Sequence, residues 1–179
     1  MTDTQPETPL IGSNAPDARA RLLAHFNHDY EKHPTLWDDL YKQDFIPWDK
    51  GFSNPALADT LSDRTDILGS PMHSLGRRKR ALVPGCGKGY DVLLLASFGY
   101  DAFGLEVSER ALEACKETVQ KASDTRPTNS EHGKGSFNFV SGDFFKDGWV
   151  EKAGAANDGF DLIYDYTVCL EERRRSLLA

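Results

Sequence analysis

The spacing of apolar residues along the first third of the chain predicts helices. Residues 1–13 are polar and lack periodicity, so we expect a disordered leader there. Helical structure is expected to begin at Asn14, whose side chain can cap a helix. The apolar face of that helix is predicted to be formed by Leu22, Leu23, Phe26 and Tyr30.

Two shorter helices are predicted next. Between Pro34 and Tyr41, Trp37 and Tyr41 lie four residues apart and therefore share one helical stripe. Asn54 followed by Pro55 is typical of an N-cap with proline at the first helical position. The front of the chain is thus predicted to be helical and rich in aromatic side chains.

From residue 80 onward, short apolar runs alternate with helical stretches. Strands are predicted at 81–83, 102–105, 137–140 and 160–164, and helices at 90–98 and 108–121. The polar stretch 122–136 is typical of a long surface loop or a frayed helix end. Strands and helices in this order predict an α/β fold with a parallel sheet, helices on both faces and right-handed crossovers.

Length and charge narrow the class of partner. A chain of 179 residues with 39% hydrophobic content suits one globular domain. Its 28 acidic and 21 basic residues give a net charge of -7, which repels nucleic acid. The basic run Arg77–Arg80 precedes a strand, which favours a solvated strand terminus over a polyanion site. We therefore expect a small-molecule partner and no nucleic acid; oligomeric state stays open.

The cysteines and the N-terminus indicate the compartment. Cys86, Cys115 and Cys169 are widely spaced, with no CxxC pair and no metal-ligand spacing. Reduced thiols in a cytoplasmic protein without a metal fit this usage best. The N-terminus lacks an apolar signal region and no apolar run approaches about 18 residues, so neither secretion nor a membrane span is expected.

Three glycines follow the first predicted strand, where an open parallel sheet binds its ligand. Gly85, Gly87 and Gly89 have the spacing GxGxG, and Tyr90 occupies the position at which the dinucleotide fingerprint has glycine. The spacing favours a nucleoside without phosphates over a pyrophosphate. A dinucleotide oxidoreductase fragment and a turn without ligand remain alternatives.

Polar side chains at the next strand tips point to the same crevice. Glu106 follows Gly85 by about twenty residues, where a carboxylate can accept hydrogen bonds from both ribose hydroxyls. After the third strand, Asp143 can accept from the exocyclic amine of adenine while the neighbouring Phe144 covers the ring. The alternative there is a turn aspartate beside core phenylalanines. Tyr166 follows the fourth strand, where the reactive end of a cofactor would lie.

These motifs resemble a known family. The string Leu82–Val92, LVPGCGKGYDV, is similar to the first motif of the thiopurine methyltransferase superfamily. Trp37, an aromatic residue four positions later, and the string Phe45–Gly51, FIPWDKG, resemble the plant and fungal thiol or halide methyltransferases. The resemblance runs from about Thr35 to Thr167, with GLE, GDFF and DYT in the family's order.

The resemblance implies a class I methyltransferase fold: a Rossmann-like parallel sheet with an N-terminal helical lid, binding S-adenosyl-L-methionine. Tyr41 stands where relatives often have tryptophan. The methyl acceptor would be a small thiol, hydrosulfide or halide, and no catalytic base is assigned. The implied cofactor-binding residues are Trp37, Tyr41, Trp48, Gly85, Gly87, Glu106, Asp143, Phe144 and Tyr166.

The pattern changes after Thr167. We expect a methyltransferase domain at residues 14–167 and an atypical charged tail at 168–179. Members of the resembled family continue with further strands, so the sheet is expected to be incomplete after its fourth strand. An exposed edge strand invites pairing or aggregation. The alternative function is a truncated, catalytically inactive remnant that only binds the cofactor.

Overall fold

The computed structural model describes residues 16–122, 131–155, 159–166 and 168. Two short 3-10 helices, Tyr30–Lys32 and Asp147–Trp149, accompany the regular elements. The α-helices of the described residues are α1 (Pro16–His25), α2 (His33–Lys42), α3 (Pro55–Asp63), α4 (Thr65–Leu68), α5 (Tyr90–Ser97) and α6 (Glu109–Lys121). The strands are β1 (Arg80–Pro84), β2 (Asp101–Glu106), β3 (Phe137–Ser141) and β4 (Leu162–Ile163).

The strands form one parallel sheet in the order β3-β2-β1-β4. Residues Arg80–Pro84 pair with Asp101–Leu105, so β1 lies at the centre beside β2. Helix α5 connects β1 to β2 and α6 connects β2 to β3, and the chain then crosses back past β2 and β1 to reach β4. The strand order therefore reverses at β1, and the crevice at such a reversal is the usual ligand site of an open parallel sheet. The expected class I methyltransferase architecture is confirmed.

Side chains of β1 alternate between two cores. Ala81 and Val83 pack with α3 and α5, whereas Leu82 packs on the opposite face with Leu105 and Trp149. Because both faces are covered, β1 is buried on both sides, as parallel strands commonly are. The front helices thus contribute to the same core as the sheet.

Gly104 allows the glycine-containing turn after β1 and helix α5 to lie close to β2. A Cβ atom at this position would come within 2.7 Å of the Cys86 sulfur, 2.8 Å of the Phe139 ring and 2.9 Å of a Val92 methyl group. Carbon atoms do not approach other heavy atoms so closely without displacement. A side chain at this position would push the turn or α5 away from the sheet.

The first helix is shorter than its apolar pattern predicts. It ends at His25, Leu23 is 67% exposed, and Tyr30 begins a separate 3-10 helix. Asn27 and Asp29, which have low helix propensity, lie in the intervening turn. Asn14 lies outside the described residues.

Strand β4 is also shorter than predicted, with two residues where the apolar run suggested five. Hydrogen bonds from Asp161 N to Arg80 O (2.9 Å) and from Tyr164 N to Leu82 O (2.8 Å) continue the pairing on either side. Ile163 is 54% exposed at this edge of the described sheet. The tail beyond residue 168 and the leader lie outside the described residues.

The basic run at the start of β1 is partly solvated, as expected, since Arg77 is exposed, but Arg78 and Arg80 are half-buried and make structural contacts. Arg78 donates to Gly99 O at 2.8 Å and to His132 O at 2.7 Å. The Arg80 guanidinium lies 4.6 Å from the centre of the Phe103 ring, a cation–π distance. These side chains tie loops to the sheet.

None of the helices in the described part of the chain has the length and apolar character needed to span a membrane.

We predict that Gly104→Ala destabilises the fold by about 1–3 kcal/mol, the usual effect of overpacking a core. Gly148→Ala is the matched control, because a Cβ there has no neighbour within 4 Å and should change stability by less than about 0.5 kcal/mol. Urea unfolding of both variants measures the difference. Equal stability of the two variants would contradict the close packing at Gly104.

Candidate functional site

A cavity of about 390 Å³ lies at the carboxyl ends of the strands, beneath the front helices. Every residue that the sequence predicted to bind a cofactor lines this cavity. Those nine lining residues are Trp37, Tyr41, Trp48, Gly85, Gly87, Glu106, Asp143, Phe144 and Tyr166.

The turn from Gly85 to Gly89, called here the glycine turn, follows β1 and leads into α5. Gly85, Gly87 and Gly89 have φ angles of 56°, 54° and 79°, in the left-handed region that favours glycine. A Cβ on Gly87 would lie 3.1 Å from the Tyr41 hydroxyl. The turn therefore presents backbone to the cavity, with little space for side chains.

The carboxylate of Glu106, at the tip of β2, is tied to this turn. It accepts hydrogen bonds from Gly87 N (2.9 Å), Val107 N (2.8 Å) and Ser108 N (3.0 Å). Glu106 is only 7% exposed, and burial raises the pKa of its carboxyl group although the three N–H donors lower it. Oε2 accepts only one of these three bonds and has a second lone pair for a ligand hydroxyl.

Three aromatic rings, Trp37, Tyr41 and Trp48, form the aromatic wall opposite the glycine turn. The ring centre of Trp48 lies 5.2 Å from that of Trp37 and 6.0 Å from that of Tyr41, both in edge-to-face geometry. Burial and the nearby Glu106 raise the pKa of Tyr41 far above its ordinary value, although a hydrogen bond from Trp48 lowers it. Tyr41 is therefore a neutral hydroxyl at physiological pH.

Two contacts that the sequence did not reveal hold the front segment, residues 16–68, against the glycine turn and α5. Lys88 Nζ lies 2.6 Å from Asp49 Oδ2, and Asn54 N donates to Asp91 Oδ1 at 2.7 Å. Burial lowers the pKa of Lys88, but the ion pair with Asp49 outweighs it and leaves the pKa raised. The available signal was that Lys88 and Asp91 lie inside the PGCGKGYD string.

The third strand contributes Asp143 and Phe144. Asp143 Oδ1 accepts from Phe145 N at 3.0 Å, and Phe144 stacks near Trp149 with ring centres 6.1 Å apart. Phe144 is half-buried, so it forms part of the cavity wall as well as the edge of the core. The core alternative for this position is thus only partly correct.

The residues after β4 form the cavity's outer end. Tyr166 is 57% exposed, so it lies at the rim. Tyr164, the last residue of the strand predicted over 160–164, also lines the cavity. Burial and the neighbouring charge of Asp91 raise the pKa of Tyr164 to about 12. Tyr164 therefore offers a protonated hydroxyl at neutral pH.

Cys86 belongs to the glycine turn, and its sulfur faces Gly104 of β2. The hydrogen-bonded thiol of Cys115, burial and the charge of Glu106 raise the pKa of Cys86 well above its ordinary value. Such a thiol is a poor nucleophile. Among the described residues, no group of three or more His, Cys, Asp or Glu side chains could hold a metal ion.

The charges of the cavity favour a cationic ligand. Its acidic side chains outnumber the lysines that line it, Lys50 and Lys88. The acidic ones are Asp49, Asp91, Glu106 and Asp143. With a parallel sheet, a GxGxG turn after β1, a carboxylate at the tip of β2 and an aromatic wall, the chain has the architecture of the class I methyltransferases.

Comparison with known proteins identifies the family. Residues 32–177 match the sequence profile of thiopurine S-methyltransferase, and the chain belongs to that family. The cofactor of this family is S-adenosyl-L-methionine. The dinucleotide alternative is accordingly set aside.

Curated relatives include thiocyanate methyltransferase 1 of Brassica oleracea, 34% identical over 132 residues, which cover 74% of this chain and 47% of the relative. Probable thiol methyltransferase 2 of Arabidopsis thaliana is 36% identical over 131 residues, covering 73% and 46%. The chain spans about half the length of these relatives.

A structure reported for the conversion of a disulfide bond into a thioacetal group during echinomycin biosynthesis is 21% identical, with a TM-score of 0.49. The matched region covers 76% of this chain and 47% of the other protein's chain. A similarity at this level supports no functional inference.

We predict that Glu106→Gln weakens binding of S-adenosylhomocysteine by about tenfold or more. Glutamine has only one carbonyl oxygen, so its NH2 group must face either Gly87 N or the N–H groups of Val107 and Ser108. At least one backbone donor then loses its acceptor, which costs about 1–3 kcal/mol. Isothermal titration calorimetry at pH 7.5 measures the change. The control is Glu109→Gln, because Glu109 is exposed in the first turn of α6 and should bind like the wild type. Equal affinity of all three proteins would contradict the assigned role of Glu106.

Proposed function

We propose that this protein is an S-adenosyl-L-methionine-dependent methyltransferase that methylates a small thiol, hydrosulfide or halide. The observation that carries the proposal is a single cavity in which a buried carboxylate, a left-handed glycine turn and the aromatic wall face one another. Its volume, about 390 Å³, lies within the usual range for small-molecule sites.

The residues present fit the cofactor at each of its parts. Glu106 would accept from the ribose hydroxyls, and Asp143 with Phe144 would hold the adenine. The backbone of Gly85 and Gly87 would lie against the amino-acid portion of the cofactor. The aromatic wall, formed by faces that attract cations, would surround the sulfonium centre.

When bound, the cofactor supplies a methyl group on positively charged sulfur. The chain's own contribution is alignment and exclusion of water: the aromatic wall and the front segment close over the cavity, while Tyr166 and Tyr164 frame its outer end. Tyr164 stays protonated, so it can donate to an incoming anion but does not accept a proton from it. A thiolate or halide is already ionised and needs no general base.

Relatives support a small acceptor, since the two reported above are named thiocyanate and thiol methyltransferases and the family is named for thiopurine S-methyltransferase. The net charge of -7 supports a partner other than nucleic acid. The free thiols Cys86 and Cys115 suit the reducing cytoplasm, which we propose as the location.

Turnover with methyl-labelled S-adenosylmethionine tests the proposal. Hydrosulfide, thiocyanate and iodide are offered separately, and labelled methanethiol, methyl thiocyanate or methyl iodide is collected from the headspace. We expect transfer to at least one of them, above a control with heat-denatured protein. Binding of S-adenosylhomocysteine without any transfer would instead support the alternative of an inactive cofactor-binding chain.

The aromatic wall predicts a preference for the charged cofactor. The sulfur of S-adenosylhomocysteine is uncharged, whereas that of S-adenosylmethionine is positive. We expect Tyr41→Leu to weaken binding of S-adenosylmethionine by roughly two- to thirtyfold more than binding of S-adenosylhomocysteine. This difference corresponds to about 0.5–2 kcal/mol of cation–π attraction. Tyr41→Phe keeps the ring and is the matched control. Both affinities are measured by calorimetry. An equal loss for both ligands would show that Tyr41 contributes packing alone.

A further inference from the structure

Asp38, on the front helix α2, contacts the start of α6. Its Oδ1 atom accepts from Ser108 Oγ at 2.8 Å and from Arg110 N at 3.0 Å. Its Oδ2 atom lies 3.1 Å from Lys42 Nζ. A residue of the front segment therefore caps a helix of the sheet domain, although 70 positions separate Asp38 from Ser108.

The contact continues to the ligand-binding tip of β2. Ser108 is fully buried, and its backbone N–H donates to Glu106 Oε1 at 3.0 Å. Glu106 Oε2 accepts in turn from Gly87 N at 2.9 Å. An unbroken series of hydrogen bonds therefore runs from Asp38 through Ser108 and Glu106 to the glycine turn.

The same helix also reaches the far end of this series. Tyr41 lies three residues after Asp38, on the same side of α2, and its hydroxyl would be 3.1 Å from a Cβ on Gly87. Helix α2 thus contacts the network both at Ser108 and at Gly87. A shift of α2 would disturb the aromatic wall and the Glu106 carboxylate together.

The carboxylate of Asp38 suits its position. Burial raises its pKa, but the Arg110 N–H, the Ser108 hydroxyl and Lys42 outweigh burial and leave the pKa lowered, so Asp38 is ionised at neutral pH. A negative charge at the N-terminus of the 13-residue helix α6 is stabilised by the unpaired N–H groups of its first turn.

We propose that Asp38 is a positioning residue for cofactor binding: by capping α6 through Ser108, it fixes the Glu106 carboxylate and the aromatic wall in one arrangement. This inference rests on the proposed function, in which Glu106 receives the ribose. It assigns to α2 a role beyond covering the cavity, because the helix acts on the Glu106 carboxylate through Ser108.

The test compares Asp38→Ala with Asp39→Ala. Both aspartates lie 3.1 Å from Lys42 Nζ, but only Asp38 is bonded to α6, so the pair isolates that contact. We expect Asp38→Ala to weaken S-adenosylhomocysteine binding on the order of tenfold and Asp39→Ala to leave it unchanged. Asp38→Asn keeps an acceptor for Ser108 and should restore most of the affinity.

A double-mutant cycle separates positioning from general stability. On the Glu106→Gln background, Asp38→Ala should change affinity by less than about twofold, because the group it positions is already lost. Ser108→Ala breaks the same link from the other side and also removes the N-cap bond from Ala111 N to Ser108 Oγ, so it should weaken binding at least as much. If Asp38→Ala fails to fold, Ser108→Ala is measured in its place, on the wild-type and the Glu106→Gln backgrounds.

Wild-type affinity in Asp38→Ala, or an equal loss on the Glu106→Gln background, would overturn the inference. Failure of the wild-type protein to bind S-adenosylhomocysteine would instead overturn the proposed function.

Discussion

The hydrogen bond between the Glu106 carboxylate and Gly87 N is the interaction on which the site depends. It joins the tip of β2 to the glycine turn, and it lies in an interior that accepts a carboxylate only because three N–H groups face it. The turn can reach this position because Gly104 leaves room above β2. Sheet geometry, backbone conformation and ligand chemistry thus meet at one contact.

The front segment completes the site and is part of the same unit. Ion pairing of Lys88 with Asp49 and the bond from Asn54 to Asp91 hold it against the turn and α5. Asp49 directly follows Trp48, and the bonds of Asp38 to the start of α6 hold α2, which carries Trp37 and Tyr41. The three rings are therefore constrained without being part of the sheet. A cation bound there would be enclosed by rings on one side and by acidic groups on the other.

Sequence reasoning located this site because its chemistry follows strict spacing. Glycines with positive φ after β1 and a carboxylate at the next strand tip are required by the turn itself, so Gly85 and Glu106 could be predicted. Local propensity was less informative: α1 ends at His25 although the apolar pattern continues, and β4 keeps two residues at a sheet edge. Periodicity records which residues prefer burial and does not specify which partners are available.

Long-range polar contacts could not be predicted for a related reason. Arg78 bonds carbonyl groups 21 and 54 residues away, and Lys88 pairs with a residue on the preceding segment. Such pairs have no periodic signature, and a charged residue has the same pattern whether it is solvated or bound. The match of residues 32–177 to the family identifies the class of cofactor, which the GxGxG spacing alone leaves open.

A crystal structure of the protein with S-adenosylhomocysteine would test most directly whether this cavity binds the cofactor. We expect the ribose hydroxyls to lie within hydrogen-bond distance of Glu106 and the adenine beside Asp143 and Phe144. The sulfur should face the aromatic wall. A ligand bound elsewhere, or bound in this cavity with its ribose away from Glu106, would contradict this assignment.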